Sequence, residues 1–534
     1  MKIPFLFFWT LLLIGNVASA QTPISDTTQP VEILPGTKKQ VYQKLPDGTE
    51  LQILVGTVGL KQGNTLFYCD SLILNSTTKI FEAFGNVRID DDTTHIRSNY
   101  LRYLTDKRYA YLQKNVRLTD GHGVLTTNEL EYDLAAKIGY YKNGGRLVSK
   151  KSVLTSREGT YYSDTRDIFF RGKVELKDPA QYLRTDSMIY NTELERAQFL
   201  TDTYIRDSSG RVIQTREGYY DIRNRHAEFT QRTTIVDKCL RVTGNRIASD
   251  DATGIVQVEG NAILVDSCQG VIILANQIFA NKKTEAYLAT KKPVMIIKQD
   301  KDSIFVSADT LFTAHLSDLI KTTDTTKKKT PIAKGSKTKT TPLKADSTNR
   351  YFEAYRNVRI FSDSLQAVSD SLFYSFKDST FRLFQDPVVW NGKSQITGDT
   401  IYLLTKNKKA DRFKIFENSF LVNELEPRVY NQVRSTRMDG YLHEGIIDSV
   451  FARGFAETVY FMQDNDSAYT GVNETTSDAM NVYFKNNDLK RVVFIRNVKG
   501  TLWPISQKQP ADLLLKGFIW LDKKRPKSKY ELLD

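Results

Sequence analysis

The residues of this chain best suited to chemistry are few and scattered. Its five histidines, His95, His122, His226, His315 and His443, fall at no metal-ligand spacing. His122 lies between Gly121 and Gly123, which reads as a turn. The acidic runs Asp90-Asp91-Asp92 and Asp250-Asp251 also stand where turns are expected, so solvated turns account for them. No glycine-rich phosphate loop, nucleophile elbow or paired-cysteine zinc motif occurs. The chain is therefore expected to be no enzyme and to need neither cofactor nor metal. Three cysteines remain: Cys69, Cys239 and Cys268. The last two end matching words, Val236-Asp237-Lys238-Cys239 and Val265-Asp266-Ser267-Cys268, 29 residues apart. On a stacked fold they would sit on neighbouring rungs, within disulfide reach. A disulfide fits, and so do two buried thiols that repeat because the rung repeats.

What the sequence offers instead is an apolar surface. Val87 and Ile89 share one face of an alternating strand, as do Leu101 and Tyr103, Val116 and Leu118, and Leu130 and Tyr132. Val174 with Leu176 and Met188 with Tyr190 repeat the pattern. These twelve residues are the candidate binding set. They would act as apolar lining and not as catalysts. If two such sheets close, the surface is an ordinary core. If they splay, it is a long trough suited to acyl chains.

The elements that carry them repeat. Gly85-Asn86-Val87-Arg88-Ile89 is followed about ten residues later by Ser98-Asn99-Tyr100-Leu101-Arg102-Tyr103. The same words return around Val116 and Tyr132 and around Val174 and Tyr190, so the period is 29. Each Gly- or Asn-led word reads as a turn that opens a strand. Such a period marks stacked supersecondary units. The 534 residues are too many for one compact core, and abundant Tyr and Phe with Val, Ile and Thr favour strands. The expected fold is all-β, an elongated β-solenoid-like stack of repeats of about 30 residues, in two blocks joined by a disordered basic linker.

Residues 1–20 read as an export signal, an apolar run ending in Ala18-Ser19-Ala20. An uncleaved anchor is the alternative. Residues 21–40 read as a flexible leader, 41–316 as the first repeat block and 317–349 as the Lys- and Thr-rich linker. The second block is expected over 350–505 and a basic tail over 506–534. In that tail Phe518-Ile519-Trp520-Leu521 could serve as a cap or a docking peptide. The formal charge of +13 suits a partner bearing phosphates or carboxylates, although lysine-rich linkers would produce it too.

The repeated Gly-Asn-Val-Arg-Ile words, followed by Ser/Thr, an apolar residue and Tyr, resemble the OstA/LptA family of periplasmic lipopolysaccharide-transport proteins. The resemblance covers roughly residues 50–420 and is clearest at 81–190 and 351–403. It implies an open β-jellyroll whose interior carries the acyl chains of lipid A. It also implies pairing with other lipopolysaccharide-transport proteins through exposed edge strands. The implied location is the periplasm, with peripheral outer-membrane contact and no nucleic-acid partner. This chain is longer than a minimal bridging protein and shows no array of barrel strands. The rival readings are an exported scaffold or adhesin with a dry core, and a β-helix carbohydrate-active enzyme.

Overall fold

The computed structural model describes residues 29–298, 303–323, 349–406, 409–464, 468–508 and 512–533. The export-signal reading at 1–20 lies outside them, as does 324–348 of the expected linker.

The repeated words form bent strands. In Ile80–Asp91 the pair Gly85-Asn86 takes positive φ, 72° and 43°. The register against Thr94–Leu104 shifts there, between Phe84 and Val87, as a β-bulge requires. Only glycine fits at the first of these positions, because a Cβ on Gly85 would lie 2.3 Å from Asp70 Oδ2. Asn86 tolerates the left-handed region and donates its side-chain amide to the same carboxylate, 2.9 Å away. Arg356-Asn357 and Glu417-Asn418 repeat the device, with Asn357 bonded to Asp309 and Asn418 to Asp399. Gly-Asn is therefore a corner inside one strand and not the turn before it. Two consecutive left-handed residues bend a strand without ending its ladder.

Each bent strand lends one half to each of two facing sheets, and consecutive strands pair antiparallel. Phe67, from one half, packs on Phe81 and Tyr103 from the other, with ring centroids 5.4 and 4.8 Å away. The turns set the period. Lys79, Arg108, Lys137, Arg166 and Glu195 take positive φ at the same turn position. Asx caps fix several of these turns: Asn75 Oδ1 accepts from the Thr77 and Thr78 amides, and Asp133 from Ala135 and Ala136.

The chain divides into two compact units, one ending at Asn143 and one starting at Gly144. In the first, the meander runs from Glu50–Gln62 to Ile138–Tyr141. The described part of the expected leader is paired, which corrects that reading. Glu32–Ile33 pairs with 60–61, and Lys39–Lys44 with 50–55, because the first long strand would otherwise present an open edge.

The second unit holds everything from Gly145–Ser149 to Lys499–Pro504, so the compact division does not follow the two expected blocks. Thr310–His315 pairs directly with Arg350–Phe361, from Thr310↔Tyr355 to His315↔Arg350. The segment between them is an excursion from a hairpin. It opens with the helix Leu316–Thr323, where linker was expected from 317. The Ser317 amide bonds to Asn349 Oδ1, so the excursion is tied where it leaves and where it returns.

The described part of the tail is a strap. It covers outward-facing residues such as Trp390, Phe420, Val459 and Phe461, which are buried although they point away from the interior. Gln432 donates to Leu513 O at 3.0 Å and accepts from the Leu515 amide at 2.9 Å. Gln395 clasps Ile519 O and the Leu521 amide in the same way, both at 2.7 Å. Gln366 Oε1 accepts from Nε and Nη2 of Arg525. A side-chain amide that matches a backbone peptide satisfies both strap groups without a further strand.

Candidate functional site

All twelve residues of the expected lining point into the space between the facing half-sheets. Eight belong to the first unit: Val87, Ile89, Leu101, Tyr103, Val116, Leu118, Leu130 and Tyr132. Leu118 is the most accessible of them, at 3%. Val174, Leu176, Met188 and Tyr190 belong to the second unit and are fully buried. Register explains the placement. Phe81 opposes Tyr103, Leu118 opposes Leu125, and Phe170 opposes Met188, so apolar side chains meet on one face. Burial of such a side chain contributes about 1.5–3 kcal/mol. The interior is therefore packed in this state, and a guest chain must part the half-sheets to enter.

The half-sheets diverge from the corners and meet again along a seam, where the contacts are polar. In the first unit Tyr103 donates to Gln62 Oε1 at 2.6 Å, and Gln62 Nε2 donates to Thr105 O at 3.1 Å. Thr65 Oγ1 donates to Asp91 Oδ1 at 2.8 Å, and Arg108 reaches Thr65 at 3.5 Å. Burial pushes the Tyr103 phenol well above its usual range, against the opposing pull of Arg108. It stays a neutral donor at any physiological pH.

In the second unit the seam holds Lys150 against Glu195. The hydrogen bond from Lys150, followed in effect by that from Arg223, holds the Glu195 carboxyl below its ordinary value in spite of burial. Further along, Asn391 Nδ2 donates to Gly445 O at 2.7 Å, and Asn423 Nδ2 to Asn487 O at 3.0 Å. Alternation alone does not reveal these residues. The available signal is a polar residue at an inward position at a strand's end, such as Gln62 after Leu60 or Asn391 after Val389.

Cys239 and Cys268 form a disulfide between two successive turns on one side of the seam, and Cys69 is a buried thiol. Burial and the neighbouring Asp70 push that thiol up to about 12, so it is inert. The histidines serve locally. His95 pairs with Asp90 and His315 with Glu285, each at 2.9 Å. Among the described residues, no group of three or more His, Cys, Asp or Glu side chains could hold a metal ion. No described helix is long and apolar enough to cross a membrane.

Residues 37–186 match the family model of OstA-like protein. That segment is an OstA-like domain. It contains all twelve lining residues except Met188 and Tyr190, which follow directly. No curated protein matches the chain. Among solved structures, one similar chain is LptH of Pseudomonas aeruginosa, described as the LptA-homologous periplasmic component of the lipopolysaccharide transport device. It is 11% identical over 27% of this chain and 82% of its own, with a TM-score of 0.20. Another is the extracellular domain of BT4673 from B. thetaiotaomicron. It is 9% identical over 83% of this chain and 97% of its own, with a TM-score of 0.10. At these scores neither likeness bears on the fold of the whole chain.

Proposed function

We propose that this chain is an exported, non-enzymatic lipopolysaccharide-binding and transport protein of the periplasm that contributes to outer-membrane assembly. The observation that carries the reading is an inward apolar face in each unit, divided between two half-sheets whose free edges meet only through polar contacts, in a chain with an OstA-like segment. Acyl chains would replace the side-chain contacts between the half-sheets, while sugars and phosphates stay at the seam. Opening the seam costs a few hydrogen bonds, each with a net worth of about 0.5–1.5 kcal/mol. An acyl chain returns about 0.8 kcal/mol per buried CH₂.

Partner proteins of the same transport system would pair with the exposed edge strands. Among the described residues, Lys499–Pro504 pairs with one strand and presents Leu502 to solvent, 58% exposed. A paired edge strand is a common mode of protein recognition. Peripheral contact with the outer membrane belongs to the same proposal.

A second reading, a scaffold with a dry core, is favoured by the full burial of the lining. Native mass spectrometry with lipid extraction separates the two, using protein purified from the periplasm of a lipopolysaccharide-producing host. Stoichiometric lipid A-containing glycolipid supports transport. An apo mass that takes up no added lipopolysaccharide refutes it and leaves the scaffold.

A further inference from the structure

The seam of the second unit is not uniform. Inward residues beside Lys150 and Glu195, such as Leu154, Leu183 and Tyr190, are fully buried. Near Asn391 and Asn423 the inward Val389, Ile396 and Leu421 are at most 1% exposed. Between these stretches the inward residues nearest the seam are half-buried: Ile213, Ile235 and Leu240 on one sheet, Tyr220 and Tyr287 on the other. Those nearest the corners, Phe229, Ile247 and Val258, stay fully buried. The half-sheets therefore stand apart only at their lips. A cavity of about 100 Å³ opens there, backed by Ile205, Ile213, Phe229 and Ile235.

Charged groups rim this gap from both sides. Asp207 and Arg211 flank the turn that joins Thr203–Asp207 to Val212–Thr215, and their side chains pair at 2.9 Å. Facing them, Asp251 pairs with Lys282 at 3.0 Å. Among the described residues, the ion pair that joins the two lips is Arg211 Nη2 to Asp251 Oδ1, at 4.0 Å, longer than the neutral clasps elsewhere in the seam. Arg225 adds a further cation at the cavity mouth. Burial pushes the Lys282 ammonium below its ordinary value, and nearby Arg211 adds to this. The Cys239–Cys268 disulfide ties two successive turns of the Arg211 lip into one piece.

An apolar back wall, lips that carry three cations beside two carboxylates, and a weak latch describe an entry for an acylated molecule with an anionic headgroup. Resting on the lipopolysaccharide reading above, we propose that residues 205–287 form a lateral port through which acyl chains enter the second unit, with Arg211 and Lys282 taking a headgroup phosphate. A phosphate in place of Asp251 would release that ion pair between the lips. It would also leave both cations paired.

The test bridges the lips. The variant R211C/D251C is cross-linked with a short bismaleimide, Cys69 being buried and the other two cysteines joined. Loading of purified lipopolysaccharide is then followed by native mass spectrometry. The bridged protein should load at least tenfold more slowly than the same variant unbridged. Bridged K44C/E50C, at an exposed ion pair of the first unit away from the seam, should load as the wild type does. Equal loading by the two forms of R211C/D251C overturns the port, and so does equal inhibition by both bridges. Should the cysteine variants fail to fold, R211E/K282E gives the second reading. It should load lipopolysaccharide at least tenfold more slowly, and a wild-type rate overturns the port. Wild-type protein that takes up no lipopolysaccharide defeats the transport reading itself, whereas wild-type loading with no effect of bridge or charge defeats the port alone.

Discussion

The strap over the second unit yields the sharpest quantitative prediction. Gln432 is 1% exposed and makes two hydrogen bonds to strap backbone, at Leu513 O and at the Leu515 amide. Gln432→Met keeps the length and most of the volume of the side chain and removes both bonds. A buried polar group left without a partner costs about 1–3 kcal/mol, so two such groups destabilise the docked strap by about 2–6 kcal/mol. Leu513 still packs on Val459, Phe461 and Val472, so the strap should loosen without taking the sheets with it. The readout is amide hydrogen exchange over residues 512–521. Two kcal/mol corresponds to about a 30-fold acceleration, because 1.4 kcal/mol is tenfold. Strands of the second unit remote from the strap should keep wild-type protection. Unchanged exchange at Leu515 would refute the clasp. Equal acceleration throughout the unit would refute the independence of the strap.

Three further outcomes follow from the same geometry. Tyr103→Phe removes the donor to Gln62 Oε1 and should lower the stability of the first unit by about 1–2 kcal/mol, read as a fall in thermal midpoint. Gly85→Ala places a Cβ at positive φ and 2.3 Å from Asp70 Oδ2, and should destabilise by more than about 1 kcal/mol in denaturant titration. Glu195 supplies a pH dependence. Its folded-state pKa lies below its ordinary value of 4.5, so its stabilising effect is complete above that pH and is lost as pH falls through the folded value. Because Lys150 is well exposed, the pair contributes at most about 1 kcal/mol. The difference in thermal midpoint between wild type and Glu195→Gln should accordingly shrink on acidification. A difference that grows instead would contradict the assigned partner.

Much of the fold is legible in the sequence because its devices are local. Alternation at Val87 and Ile89 or at Val174 and Leu176 marks the inward face, and burial follows it. The 29-residue period is the spacing of one turn position, from Lys79 through Arg108 to Lys137. The Gly-Asn word misleads because the same left-handed preference serves a turn and a bulge, and only the partner strand distinguishes them. The polar seam is hidden because Gln62, Asn391 and Asn423 occupy inward positions as if they were core, and their partners lie on later turns. The strap is hidden for the same reason. Gln432 and Leu515 are 83 residues apart, and no local pattern joins them. The twelve-residue lining could be named from alternation, but its closure depends on how far the half-sheets splay, which residue types do not encode.

Whether acyl chains occupy that interior is best asked from within it. Met188 and Met295 point inward and are at most 1% exposed. Photo-methionine places a diazirine at these sites with almost no change of shape. The protein, grown with it and loaded with lipopolysaccharide, would be irradiated and its peptides examined by mass spectrometry. The account predicts a lipid A adduct on the peptide that carries Met188. Only protein-to-protein cross-links at Met188, in a sample to which lipopolysaccharide had been added in excess, would contradict it.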